Sequence, residues 1–367
     1  MMSNDSAYLQ LIEKQRKWIY NLPESEYLLP LLKLRMTESE AEFLLKIPFM
    51  PQTLEQLQPL TGLDQPELKA LLDDLSLRGL IMNITGSKGT KYLLQDAFFW
   101  FYRMPGYQGN KDDFNKAISP LLNKYYKESM AMDVHNHQHK GLRTIPIQTG
   151  VKDVKTVMPF EDVQTIIDSS RFVSVSTCSC RHRKNLDPDE ESCKFETRTC
   201  LHLDLLGKYL VQNGNGEEIS KQEAFEIARH CADEGLVHGV SNTVNGIDTI
   251  CNCCSCCCAF IGTGIILPET ITKGHQPSNY IAARDSDKCK KCGLCAKRCP
   301  MKALTLIQTD THEKDIVFSA KRCIGCGVCA HKCPTGALRL ARKTQEEKYP
   351  DNIIDFVQKM LADRGLA

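Results

Sequence analysis

Eight cysteines near the C-terminal end of the sequence repeat one spacing, which is typical of residues that bind iron–sulfur clusters. The two runs are Cys289, Cys292, Cys295 and Cys299, then Cys323, Cys326, Cys329 and Cys333, and a proline follows each run. A [4Fe–4S] cubane has four irons and each iron needs one thiolate, so three closely spaced cysteines can bind one face of the cube. The spacing therefore predicts two [4Fe–4S] clusters.

The fourth cysteine of each run is expected to bind the cluster of the other run, which is the general rule for paired cubane motifs. The predicted ligands are Cys289, Cys292, Cys295 and Cys333 for cluster 1, and Cys323, Cys326, Cys329 and Cys299 for cluster 2. Gly293, Gly325 and Gly327 are expected to let the backbone approach the inorganic sulfurs and direct N–H groups at them. In every ligand position this segment resembles bacterial dicluster ferredoxins, and the resemblance implies electron transfer.

Positive charge is concentrated around the same cysteines. The whole chain has a net charge of only +1, but residues 288–343 contain thirteen Lys or Arg against three Asp or Glu. This charge would offset the negative charge of reduced clusters and would steer a redox partner with an acidic docking surface. No G-x-G-x-x-G loop for a flavin or nicotinamide is present.

Eleven more cysteines precede the repeat, out of nineteen in the chain. The N-terminus lacks the apolar stretch of a secretory signal, so metal ligation is a better interpretation than disulfides. We predict a third site of Cys178, Cys180, Cys193 and Cys200, and a further site drawn from Cys251, Cys253, Cys254 and Cys257. A site that mixes both regions, and zinc in place of iron, remain open. Cys231 is expected to be a buried structural residue.

Residues 143–260 resemble a group of cysteine-rich 4Fe–4S dicluster proteins of anaerobic bacteria. The matching pieces are Arg143-Thr-Ile-Pro146, Met158-Pro-Phe-Glu161, Cys178-Ser-Cys180-Arg181, Gly235-Leu-Val-His238 and the 251–258 run. Because those proteins also end in a dicluster ferredoxin, the resemblance extends over most of the chain and implies electron transfer in an anaerobe. It assigns no substrate and no individual ligands.

The N-terminal region is predicted to contain three short helices followed by a hairpin. Thr37 and Glu40 form a capping-box pattern, Pro66 is placed at a helix start, and two alternating segments flank residues 86–89. This order resembles the winged-helix domains of bacterial regulators. The third helix is too acidic for phosphate contacts, so we do not expect DNA to be a partner.

These segments predict an α+β multidomain protein. The expected divisions are a helical and winged-helix-like domain (1–95), a connector (96–150), a cysteine-rich α/β metal-binding domain (151–275), a dicluster ferredoxin domain (276–343) that starts with a polar linker, and a C-terminal helix (344–367). The predicted apolar face of that helix includes Ile353, Ile354 and Phe356. Since no segment is long and apolar enough to span a bilayer, a cytoplasmic location is expected.

Three functions are compatible with the sequence. The first is an electron carrier that passes low-potential electrons to a protein partner. The second is a redox-sensing regulator in which cluster state controls DNA binding by the N-terminal domain. The third is a reductase whose additional cluster, within residues 178–258, acts on a small molecule. The acidic third helix and the missing nucleotide loop favour the electron carrier.

Overall fold

The computed structural model describes residues 5–86, 89–262, 274–310 and 312–367, with residues 135 and 136 described by their backbone alone. The helices are α1 Ser6–Arg16, α2 Leu28–Arg35, α3 Glu38–Leu45, α4 Leu54–Thr61, α5 Gln65–Leu77, α6 Met104–Tyr107, α7 Asp113–Tyr125, α8 Ala131–Asn136, α9 Val163–Ser169, α10 Ser179–Leu186, α11 Asp204–Gln212, α12 Lys221–Glu234, α13 Leu294–Arg298, α14 Val328–His331 and α15 Ile353–Asp363. The strands are β1 Ile81–Gly86, β2 Gly89–Leu94, β3 Leu142–Thr144, β4 Val173–Thr177, β5 Arg198–Leu203, β6 Glu217–Glu218, β7 Val237–Ser241, β8 Thr249–Cys253, β9 Tyr280–Arg284, β10 Leu304–Gln308, β11 Lys314–Phe318 and β12 Leu338–Arg342. The chain therefore mixes helices and sheets, as the sequence predicts.

The N-terminal helices begin and end where their capping residues predict. Thr37 accepts a hydrogen bond from the Glu40 N–H, and the Glu40 carboxylate accepts one from the Thr37 N–H at 2.7 Å, which confirms the capping box. Gly62 ends α4 in the left-handed conformation. After α5, β1 and β2 pair as an antiparallel hairpin. This is the predicted order of elements, while membership of the winged-helix group stays a prediction.

An aromatic segment connects this region to the central sheet. Residues Phe99–Arg103 form a short π-helix in which Trp100, Phe101 and Tyr102 are buried. The ring centres of Phe98 and Phe260 are 5.0 Å apart, and Phe260 follows the cysteine-rich run. The aromatic residues thus pack directly on the region that carries the additional cysteines.

The central domain is built on a six-stranded sheet in the order β3-β7-β8-β5-β4-β6, in which all pairs are antiparallel. Ile250 on β8 packs into an apolar core with residues of α9 and α12. Because side chains alternate along a strand, Cys251 and Cys253 point to the opposite face. The edge strand β3 lies within the segment predicted as a connector, so this sheet begins before residue 151.

The C-terminal region contains two small antiparallel sheets, one of β9 and β12 and one of β10 and β11. The predicted polar linker at 276–287 is wrong, because residues 280–284 form β9, and its Tyr280 and Ala282 are buried against β12. The alternating pattern of β9 covers only five residues and has polar residues on both sides, so it was not recognised as a strand in the sequence.

The C-terminal helix α15 is shorter than predicted and buries a different face. Phe356 and Met360 are buried, but Ile353 and Ile354 are 60% and 65% exposed, so the predicted apolar face is wrong at these two positions. Both isoleucines lie in the first turn, next to the N-cap Asn352, before the helix reaches the core.

Among the described helices, none has the length and apolar character needed to cross a bilayer.

Candidate metal centres

The eight cysteines of the repeat line two separate cavities in the ferredoxin region. Each cavity receives three cysteines from one run and the fourth from the other run. One cavity is lined by Cys289, Cys292, Cys295 and Cys333, and the other is lined by Cys323, Cys326, Cys329 and Cys299. We call the first the distal cavity and the second the proximal cavity. The grouping is the one expected for crossed ligation, and ligation itself stays a prediction.

Tight turns form the walls of both cavities. Gly293, Gly325 and Gly327 all have φ between 71° and 79°, in the left-handed region that favours glycine. At Gly327 a Cβ atom would lie 3.2 Å from the backbone of Ile147, and at Gly325 it would collide with the Tyr280 carbonyl oxygen. These two glycines thus permit close approach of neighbouring chain segments, in addition to shaping the cavity wall.

A third cavity lies between the central sheet and the aromatic segment. This cavity is lined by six cysteines that belong to no other group, namely Cys178, Cys180, Cys200, Cys251, Cys253 and Cys258. We call it the six-cysteine cavity. Tyr102 and Tyr107 close its aromatic side, and Cys254 and Cys257 also reach its wall.

Strand geometry explains why these thiols meet. The pairing of Leu201 with Ile250 continues by one step to place Cys200 beside Cys251 on neighbouring strands. Cys178 follows β4 and begins α10, which carries Cys180 in its first turn. A hydrogen bond with Cys178 and the nearby charge of Arg183 together lower the pKa of Cys180 to about 6.

Three arginines beside the six-cysteine cavity fit an anionic metal–thiolate group. Arg103 and Arg181 line the cavity, and Arg183 stacks 5.0 Å from the ring centre of Tyr102. Arg181 and Arg183 are buried, and Arg181 Nε and both Nε and Nη1 of Arg183 have no hydrogen-bond partner in the described part of the chain. Since a buried cation needs a compensating negative charge, these residues match a site that gathers thiolates.

A further group of four thiols lies where the segment between α10 and β5 meets the turn after β8. The Sγ atoms of Cys193, Cys254, Cys256 and Cys257 all lie within 4.8 Å of one another. Cys256 is exposed, Cys193 is partly exposed, and the other two are buried. We call this set the four-cysteine group.

The structure therefore divides the eleven additional cysteines differently from the two predicted sets. Cys193 joins Cys254, Cys256 and Cys257, whereas Cys178, Cys180 and Cys200 meet Cys251 and Cys253 in the cavity. This is the mixed arrangement that the sequence left open. Cys231 is buried in α12, as predicted.

Some residues of these centres were not found by sequence reasoning. Cys256 and Cys258 were assigned to no site, and Arg103 lies in an aromatic segment without a metal-binding pattern. His182 also lies on α10, and its Nε2 makes a hydrogen bond with the Asn110 carbonyl oxygen at 2.8 Å. The one feature of the sequence that could have indicated a role for Arg103 is its position as a charged residue within an aromatic segment.

Comparison with known families supports the ferredoxin region. Residues 288–337 match the family model described as a 4Fe-4S dicluster domain. No curated protein and no solved structure matches the chain. With the grouped cysteines, this match shows that the chain is an iron–sulfur protein with a C-terminal 4Fe–4S dicluster domain.

Replacing Gly325 by Ala should destabilise the ferredoxin region because the new Cβ meets the backbone of β9. Gly246→Ala is the matched control, since Gly246 has φ +70° but open space around it. We expect the control to lose about 1–2 kcal/mol of unfolding free energy from left-handed strain alone. Gly325→Ala should lose about 3 kcal/mol or more.

Anaerobic denaturant titration followed by cluster absorbance measures both losses. Equal losses for the two variants would show that crowding at Gly325 is unimportant.

Proposed function

We propose that this protein is an iron–sulfur electron-transfer protein with two [4Fe–4S] clusters in the ferredoxin region and a third cluster in the six-cysteine cavity. The observation that carries the proposal is the arrangement of fourteen cysteines around three cavities, with four at the distal cavity, four at the proximal cavity and six at the six-cysteine cavity. Each bound cubane would accept and return one electron. The cysteines would hold the clusters, and the buried arginines would compensate their charge.

One apolar core connects the six-cysteine cavity to the proximal cavity. Cys253 and Cys258 from the first and Cys326 from the second are buried in the same hydrophobic cluster. The Ile147 N–H donates to the Cys326 carbonyl at 2.9 Å, and Gly327 packs against Ile147. Thiols of both cavities therefore border one continuous water-excluding interior, which suits electron exchange between them.

Polar contacts fix the ferredoxin region to the end of α12. Arg298 donates to the carbonyls of Ala232 and Asp233 at 3.1 and 3.0 Å, where the helix leaves carbonyl groups unsatisfied. His331 and Lys332 both pair with the Asp233 carboxylate. These contacts support a fixed, rather than mobile, placement of the proximal cavity against the central domain.

Exposure increases from the proximal to the distal cavity. Cys326 and Cys329 are buried, whereas Cys292 is exposed and lies between Lys290 and the left-handed turn at Gly293. We infer an order of six-cysteine cavity, proximal cavity and distal cavity. The distal end would exchange electrons with the protein partner.

The N-terminal domain has contacts that suit a docking role better than DNA binding. On and next to α5, Lys69 pairs with Asp73, and Arg78 pairs with Asp74 and Glu40. Tyr209 on α11 donates to the Ser76 and Ile81 carbonyls, so the end of α5 and the hairpin face the central domain. The pairing of these cations leaves little positive charge for phosphate contacts.

A triple variant tests the third cluster and the electron-carrier function. Anaerobically purified protein should contain about 12 iron and 12 sulfide and take up about three electrons in a reductive titration, as three cubanes require. Cys178→Ala with Cys200→Ala and Cys251→Ala removes three of the six thiols that belong to the six-cysteine cavity alone. This variant should fall to about 8 iron and two electrons.

Cys231→Ala is the control, because it removes a buried thiol that lines none of the three cavities. A wild-type content of 8 iron would contradict the third cluster. Full iron content in a protein that takes up electrons but cannot return them to an external one-electron acceptor would contradict the carrier function.

Crossed ligation predicts which cluster each fourth cysteine supports. Cys299→Ala should damage the cluster of Cys323, Cys326 and Cys329, and Cys333→Ala should damage the cluster of Cys289, Cys292 and Cys295. Each variant should lose up to about four irons, with a different part of the reduced-state EPR spectrum lost in each. Loss of the cluster adjacent in sequence would show that ligation is not crossed.

Basic residues at the distal end should accelerate reaction with an acidic acceptor. We expect the rate constant for reduction of an acidic flavodoxin to fall with ionic strength, and to fall about tenfold in Lys290→Glu with Lys291→Glu. The control is Lys111→Glu with Lys116→Glu, an exposed pair at the start of α7. Stopped-flow absorbance measures the rates, and equal slowing by both pairs would argue against docking at the distal end.

A further inference from the structure

We propose that the four-cysteine group binds a single zinc ion, held by the thiolates of Cys193, Cys254, Cys256 and Cys257, that is separate from the iron–sulfur clusters. The proposal does not depend on the electron-transfer function. It assigns these four cysteines to a structural ion and leaves the six-cysteine cavity for iron.

The spacing of the sulfur atoms carries the proposal. The Sγ atom of Cys193 lies 3.9 Å from that of Cys254 and 3.7 Å from that of Cys256, and the Sγ atoms of Cys256 and Cys257 are 3.4 Å apart. Four thiolates at about 2.3 Å from one tetrahedral zinc ion are separated by about 3.8 Å. The measured distances agree with one central ion.

A cubane does not fit this spacing. Its four thiolates bind four different irons at the corners of a cube, so their sulfur atoms are necessarily farther apart than around one ion. Within the described residues, this is the one group of three or more Cys, His, Asp or Glu whose ligand atoms lie within 4.8 Å of one another. In neither ferredoxin cavity do the four Sγ atoms lie this close together, so the distances between sulfur atoms distinguish the two kinds of site.

The position of the group gives the ion a structural role. Cys193 lies in the irregular segment 187–197 between α10 and β5, and the other three lie in the turn that follows β8. A hydrogen bond helps to fix the backbone at Cys193, since its N–H donates to Asn185 Oδ1 at 2.7 Å. An ion bound by all four thiolates would fix this segment against the turn, and closed four-thiolate sites of this kind are typical of structural zinc.

Charge near the group is compatible with a doubly negative zinc–tetrathiolate centre. The fully buried Arg181 lies close to Cys254, and both residues line the wall of the six-cysteine cavity. Lys184 extends to the same turn and donates to the Cys256 carbonyl at 3.4 Å. The positive charge of Arg181 is therefore close to thiols of both the four-cysteine group and the six-cysteine cavity.

Metal analysis of the full-length protein tests the proposal. We expect about one zinc per chain in addition to the iron, and zinc K-edge EXAFS with four sulfurs at about 2.3 Å. Cys256→Ser should lower the zinc content to well below about half an ion per chain, since structural affinity depends on all four ligands. Its iron and sulfide content should stay unchanged.

The matched control is Cys231→Ala, which removes a neighbouring buried thiol outside the four-cysteine group and should retain zinc. Wild-type protein without zinc, or with iron in place of zinc in this group, overturns the proposal. Loss of iron rather than zinc in Cys256→Ser also overturns it. If Cys256→Ser does not fold, the EXAFS of the wild-type protein decides, because nitrogen or oxygen in the zinc shell excludes the four-thiolate site.

Discussion

The proposed metal centre of the central domain depends on the compensation of buried thiolate charge by buried arginine. Thiols can bind metal only as thiolates, and a group of them in an apolar interior is unfavourable without positive charge nearby. Arg103, Arg181 and Arg183 supply that charge from two different parts of the chain. Conversely, burial of the arginines would be unfavourable without anionic partners. The buried thiolates and the buried guanidinium groups therefore each require the other.

This mutual requirement explains why the aromatic segment is part of the centre. The segment delivers Arg103 and covers the cysteine face of the sheet with Tyr102 and Tyr107. It also extends the apolar core from the N-terminal helices to the thiols of the central domain and the ferredoxin region. The N-terminal region thus packs against the same apolar core as the cysteines of the central domain and the ferredoxin region.

Two kinds of cysteine geometry occur in one chain. The ferredoxin cavities and the six-cysteine cavity have their cysteines distributed around the wall of a cavity, whereas the four Sγ atoms of the four-cysteine group lie within 4.8 Å of one another. Chains that carry several clusters must also keep their ligands from exchanging between sites. Here strand direction separates most of the ligands, because Cys251 and Cys253 leave β8 on one face whereas Cys254, Cys256 and Cys257 lie in the turn after β8. Cys254 and Cys257 nevertheless also reach the wall of the six-cysteine cavity.

The sequence by itself determined the ferredoxin region, because its ligands are local: each run spaces three cysteines within seven residues, and glycine turns set the backbone between them. The capping of α3 and the position of β4 before Cys178 were also predictable, since both depend on neighbouring residues. Only the tertiary structure decided how the other cysteines group. Cys193 and Cys254 are 61 residues apart and meet in space, while the adjacent Cys253 and Cys254 belong to different groups. Spacing along the chain carries no information about such pairs, because strand pairing and side-chain alternation determine which thiols share a site.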